Sequence, residues 1–214
     1  MTDLERRLRA LHRHMASLEF DVRDLIFGEP AKEDEILRVE RDLGLSLPPS
    51  FKSILTEVSK HVEFRWFTPD GFDFPDPFVS NFSGDIHWSL DLLKTFQEGR
   101  AGWIESVFPN PDDPYDAVWH NKLPFFEVGN GDQIAIDLRP DNYEQIVYLS
   151  HDDGEGHGHV LASNFHDLLL RSVPLACPGG EDWQWKEFTN NLSTPIDPEC
   201  ENALAWKGLL RLDQ

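Results

Sequence analysis

Residues 123–173 read LPFFEVGNGDQIAIDLRPDNYEQIVYLSHDDGEGHGHVLASNFHDLLLRSV. Residues 125–128 and 133–138 have strand patterning, and Gly129-Asn130-Gly131 between them tolerates the positive φ of a tight hairpin. The two-residue repeat puts Ile134 and Ile136, with Asp132, on one face. Residues 145–150 form the next strand, with Val147 and Leu149 on a shared face, and residues 159–161 a short fourth. Ser163 or Asn164 caps a helix over 165–171, which Pro174 stops. The stretch reads as a hairpin, a third strand, an acidic loop and a closing helix.

Upstream, Ile36, Val39 and Leu43 mark a helix over 32–43, with Gly44 placed to end it in a left-handed conformation. Leu47-Pro48-Pro49 breaks the helix, and Ser50 is the expected cap of the next, whose face holds Phe51, Ile54, Leu55 and Val58. Residues 61–67 alternate as a strand, 68–84 form a long loop, and 86–96 a strand passing into a helix with Ser89 as cap. A second Pro- and Asp-rich loop covers 109–116.

Leu4, Leu8, Leu11, Met15, Leu18, Val22 and Leu25 recur at spacings of four and three. They predict one N-terminal helix of about six turns, packed on the body or, alternatively, pairing in a weak dimer. Arg6, Arg7, Arg9 and Arg13 lie off that seam. Near the other end, Trp183, Trp185 and Phe188 precede a helix over 199–210 that carries Trp206. The expected organisation is an N-terminal helix over 1–30 and a single domain over 31–214. The domain's core motifs lie at 32–60 and 123–173, with a C-terminal helical addition over 180–214. No internal repeat or long linker divides it.

Asp and Glu number 39 against 19 Lys and Arg, a formal net charge of −20. Such a field repels phosphate backbones and anionic membranes and speeds encounter with basic partners. It also serves solubility alone in many proteins. Cys177 and Cys200 show no CxxC spacing, and no window is apolar enough to span a membrane. Reduced thiols in a cytoplasmic protein are the expectation.

The ordered motifs resemble the SUKH superfamily, which includes a fungal cell-wall synthesis regulator and many bacterial proteins that neutralise polymorphic toxins. The resemblance runs through Glu33-Asp34-Glu35-Ile36, Glu40-Arg41-Asp42-Leu43-Gly44 and Leu47-Pro48-Pro49-Ser50-Phe51-Lys52. It resumes at Leu123-Pro124-Phe125, Val128-Gly129-Asn130-Gly131-Asp132 and Ile134-Ala135-Ile136-Asp137, then at Val147-Tyr148-Leu149-Ser150-His151-Asp152 and the helix over 163–170. Each motif is soft alone; their order and spacing carry the argument. The resemblance implies an α+β fold with helices against a mainly antiparallel sheet of four to six strands, a protein-binding role without catalysis, and His151 as a structural residue closing its strand.

Chemistry-bearing patterns are few. His151, His157 and His159 are the candidate ligands of a metal-dependent hydrolase, but their spacing matches no known cage, the loop fails the EF-hand register, and no HExxH occurs. Asp132 and Asp137 are an odd number apart and so point to opposite faces, which argues against a shared acid–base site. Asp132 is expected to bond the amides of its own turn. Ser150, His151 and Asp152 are adjacent, which suits no triad, and no GxSxG, GxGxxG or GxxxxGK[ST] is present. Neither metal nor cofactor is expected.

Three acidic clusters remain: Asp70, Asp73 and Asp76 among Phe72, Phe74 and Phe78; Asp112, Asp113 and Asp116 beside Tyr115 and Trp119; and Asp152, Asp153 and Glu155. Each reads as a solvated loop or as an interface in which rings anchor and carboxylates steer. The sequence therefore predicts a non-enzymatic binder of a protein partner. The expected partner is a basic, nuclease-type toxin domain, with neither nucleic acid nor membrane as ligand. An intracellular regulator or scaffold with several weak partners is the alternative.

Overall fold

The structure, a computed structural model, describes residues 1–152, 154–191 and 194–212. In chain order the described residues form α1 (Asp3–Ser17), β1 (Asp21–Val22), β2 (Ile26–Phe27), α2 (Glu33–Leu43), α3 (Pro49–Glu57), β3 (His61–Phe67) and β4 (Ser83–Ser89). They continue as α4 (Leu93–Ser106), β5 (Lys122–Glu127), β6 (Gln133–Asp137), β7 (Ile146–Leu149), β8 (Val160–Ala162), α5 (Phe165–Ser172), α6 (Asp182–Trp185) and α7 (Glu201–Leu210). This is the expected antiparallel α+β architecture. The strands divide between two four-stranded sheets, however: β5-β6-β7-β8 in order, and a second in which β1 and β2 share one edge of β3 while β4 takes the other.

The N-terminal helix over 1–30 needs correction. Only Asp3–Ser17 is helical; Thr2 caps it by accepting from the Glu5 amide. Glu19 turns the chain with φ 63°, and Val22 then pairs with Trp66 of β3 while Phe27 pairs with Val62. The apolar spacing at Val22 and Leu25 continues a heptad, yet those side chains meet the core from strand and loop. Pairing the free edge of β3 satisfies backbone groups that a longer helix would leave exposed along that edge. Leu8 and Met15 are fully buried in the main core.

Local chemistry explains most boundaries. Gly44 ends α2 at φ 69°. Asn164, not Ser163, caps α5 by accepting from the Asp167 amide. Pro49 sits inside the first turn of α3, where its missing N–H costs nothing, so the helix starts one residue before the expected cap. Ser50 instead accepts from the Phe165 amide, tying α3 to α5. Ser89 caps nothing; a 3-10 turn over Leu90–Leu92 leads into α4, which runs ten residues past the predicted end.

Strand parity sorts the β5–β8 sheet. Ile134, Ile136, Ile146 and Tyr148 face the main core, where Phe165 of α5 packs on Phe51, Phe125 and Trp88 with centroids 4.6, 5.0 and 5.4 Å away. Ala135, Val147 and Leu149 face a smaller cluster with Phe108 and Trp119. Both faces of this sheet are therefore covered, and its polar groups are pushed to its ends and turns.

Candidate protein-binding surface

The β5–β6 turn is built by its own side chains. The Gly131 amide donates to the Val128 carbonyl at 3.0 Å, with Gly131 at φ 100°. Asn130 Oδ1 accepts from the Asp132 amide at 2.9 Å. Asn130, not Asp132 as expected, thus serves the turn amide. The Asp132 carboxylate points inward, 2 % exposed as a residue, and gathers donors from three places. Asn130 Nδ2 donates to it at 2.8 Å, the His151 amide at 2.8 Å, and the Tyr148 hydroxyl donates as well. His151 Nδ1 lies 2.6 Å from Oδ1. Burial, then the Asp132 carboxylate, pushes the Tyr148 phenol well above its usual range, so it stays a donor. His151 closes the strand as a structural residue, and its ring packs on Trp103 with centroids 4.9 Å apart.

Asp137 has different partners. It is fully buried with Lys122, 3.3 Å from its Nζ, and accepts from Arg139 at 2.6–3.1 Å. Burial pulls the Lys122 ammonium down to about 8, with Asp137 opposing the shift. The two aspartates of β6 and its turn thus serve two separate networks, as the odd spacing implied.

The histidine loop does not assemble a trio. His157 Nδ1 accepts from the Ser150 amide at 3.2 Å and its Nε2 lies 3.1 Å from the Tyr115 carbonyl. His159 is buried against Trp185, centroids 4.8 Å apart. Among the described residues, the group of close potential metal ligands is Asp132, His151 and Asp152. Its Asp132 oxygens are already engaged by the donors described above, a poor fit to a cation. The hydrolase reading is not supported. Ser150 Oγ donates to Asp152 at 3.0 Å while His151 turns to Asp132, so these residues do not line up as a triad.

The acidic clusters lie on loops anchored from beneath. Asp70, Asp73 and Asp76 are exposed above buried Phe74 and Phe78, with Phe72 42 % exposed beside them. Phe74 and Phe78 stack into a nest around Trp206 of α7, centroids 4.6 and 5.2 Å away. Asp112 and Asp113 are exposed and Asp116 half-buried; Asp113 accepts from the Tyr115 and Asp116 amides and Asp116 from that of Asn110. Asp152 and Glu155 are exposed, and Glu155 pairs with Lys186 at 3.2 Å. Asp153 lies outside the described residues.

The fold joins the second and third clusters. Tyr115 stacks on His157 at 3.9 Å, and Trp119 Nε1 donates to the Ser150 carbonyl at 3.1 Å. The first cluster is pinned by other neighbours, Phe20 and Trp206. Sequence reasoning missed Glu181 and Asp182 at the start of α6. Asp182 accepts from the Gly156 amide at 3.0 Å, docking the third loop. The Glu181 carboxyl is pushed up to about 7, by burial first and then by Asp132, Asp182 and Asp152, with His151 opposing. The one sequence signal there was a pair of acids at a helix start, a common capping pattern with no hint of the neighbours.

An acidic α+β domain with two antiparallel sheets and anchored acidic loops is the class these observations define. The chain belongs to the SMI1 / KNR4 family (SUKH-1), whose model matches residues 30–171. No curated protein matches the chain. Among the described residues no helix is long and apolar enough to cross a membrane.

Proposed function

We propose that this chain is a non-catalytic protein-binding domain that neutralises a basic, nuclease-type toxin domain by stoichiometric contact through its acidic loops. One observation carries the reading. Asp70, Asp73, Asp76, Asp112, Asp113 and Asp116 have no cationic partner among the described residues, yet their loops are fixed by buried rings. Rigid loops bearing unpaired carboxylates are preorganised to meet a cationic surface, since little ordering entropy remains to be lost. Asp152 and Glu155 extend the second loop's surface. A nuclease's cationic face, shaped to take phosphates, suits such a surface. Family membership and the net charge of −20 agree with the reading. The domain works in the cytoplasm, where its two free thiols, Cys177 and Cys200, stay reduced.

Size-exclusion chromatography of the protein with a basic nuclease domain encoded beside it, at about 0.15 M salt, tests the pairing. Co-elution is expected; two unshifted peaks would count against it. The scaffold reading has no observation of its own in its favour.

A further inference from the structure

The strongest basic feature of this acidic protein is α1, which holds Arg6, Arg7, Arg9 and Arg13 against Asp3 and Glu5. One side of α1 opens on two adjoining cavities of about 480 and 280 Å³ that share Arg7 and Val173 as lining residues. Leu11, Pro174 and Leu212 line the first; Leu4 and Leu170 help line the second, and Leu170 is 64 % exposed. The cations on the groove are Arg7 and Arg211. Among the described residues that line it, the one carboxylate, Asp3, is engaged by Arg6 and by Arg7 Nε at 2.8 Å. Arg211 has no carboxylate partner among the described residues. His14 Nε2 lies 2.7 Å from the Leu210 carbonyl, which fixes α1 to the end of α7 and sets the groove's width.

We propose that this groove binds an acidic amphipathic protein segment, its apolar side chains against Leu11, Leu170 and Leu212 and its carboxylates on Arg7 and Arg211. Two adjoining cavities lined by apolar side chains and by Arg7 and Arg211 suit the recurring helix-in-groove mode, with charge choosing the sign of the ligand. The chain's net charge of −20 disfavours extended polyanions here. A phosphate backbone or anionic membrane extends over the acidic body, whereas a short peptide is confined to the groove, whose described lining carries Arg7 and Arg211 against Asp3. The groove is a second surface of opposite sign to the acidic loops, and it serves a different ligand.

Fluorescence anisotropy with a labelled synthetic helix of about twelve residues, Leu on one face and Glu on the other, tests this. Its counterpart with Lys for Glu is the control. The Glu peptide is expected to bind and the Lys peptide not. Arg7→Glu combined with Arg211→Glu, and separately Leu170→Asp, should each weaken binding by about tenfold or more. All three positions are exposed, so circular dichroism melts should stay unchanged. No binding of the Glu peptide, or binding by both variants as tight as that of the native chain, overturns the proposal. So does stronger binding to phosphatidylglycerol vesicles than to the peptide. Self-association in sedimentation that Leu170→Asp abolishes, without peptide binding, would assign the groove to a second copy instead.

Discussion

His151 Nδ1 lies 2.6 Å from Asp132 Oδ1, and the same carboxylate receives the Tyr148 hydroxyl. This contact locks the β5–β6 turn to the end of β7. Asp132→Ala would leave the buried phenol and the His151 amide without their acceptor. A loss of about 3 kcal/mol is expected from charged, buried hydrogen bonds. Urea unfolding checks this, and an unchanged midpoint would contradict the structural role.

The Lys122–Asp137–Arg139 cluster makes an asymmetric prediction. Asp137→Ala strands a lysine with no exposed side-chain surface and should cost about 3–5 kcal/mol. Lys122→Met leaves Asp137 with Arg139 at 2.6 Å and should cost clearly less. The folded ammonium titrates near 8, below its unfolded value of 10.5, so the unfolded chain binds the extra proton between them. Stability from this site is therefore expected to rise with pH from about 8 to 10.5 and to lose that slope in Lys122→Met. Thermal melts across that range supply the measurement.

Glu181 carries the opposite sign. Its folded carboxyl titrates near 7 against a usual 4.5, so the folded protein holds the extra proton between those values. Its contribution to stability should fall as pH rises through that window. Glu181→Gln should flatten the pH profile there and raise the melting temperature at pH 8. A steeper profile in the variant would refute the assignment.

Trp206 tests how the first acidic loop is held. Its ring lies among Phe74, Phe78, Phe188 and Trp66 at 4.6–6.4 Å. Trp206→Ala is expected to cost about 3–5 kcal/mol. Amides of residues 72–78 should lose hydrogen-exchange protection before those of β6.

Short-range physics made much of this fold legible. Gly44, Asn164 and the Asn130-Gly131 turn act through their own backbone neighbours, and each sits where its residue type places it. Strand parity separated Asp132 from Asp137 and put Val147 and Leu149 on one face. What escaped the sequence depends on distant partners. Val22 looked helical because its spacing is helical; its actual partner, Trp66, is decided by the open edge of β3. The division into two sheets likewise follows from which edges meet. Glu181 was invisible because its environment is made by Asp132 and Asp152, far away in the chain.

The most direct test of the account is isothermal titration of a neighbouring basic nuclease domain into this protein and into a variant with Asp70, Asp73, Asp76, Asp112, Asp113 and Asp116 changed to Asn. One-to-one binding is predicted for the native chain, weakening with salt and falling by about tenfold or more in the variant. Equal affinity for both proteins, or no heat with either, would contradict the claim that these anchored carboxylates are the contact surface.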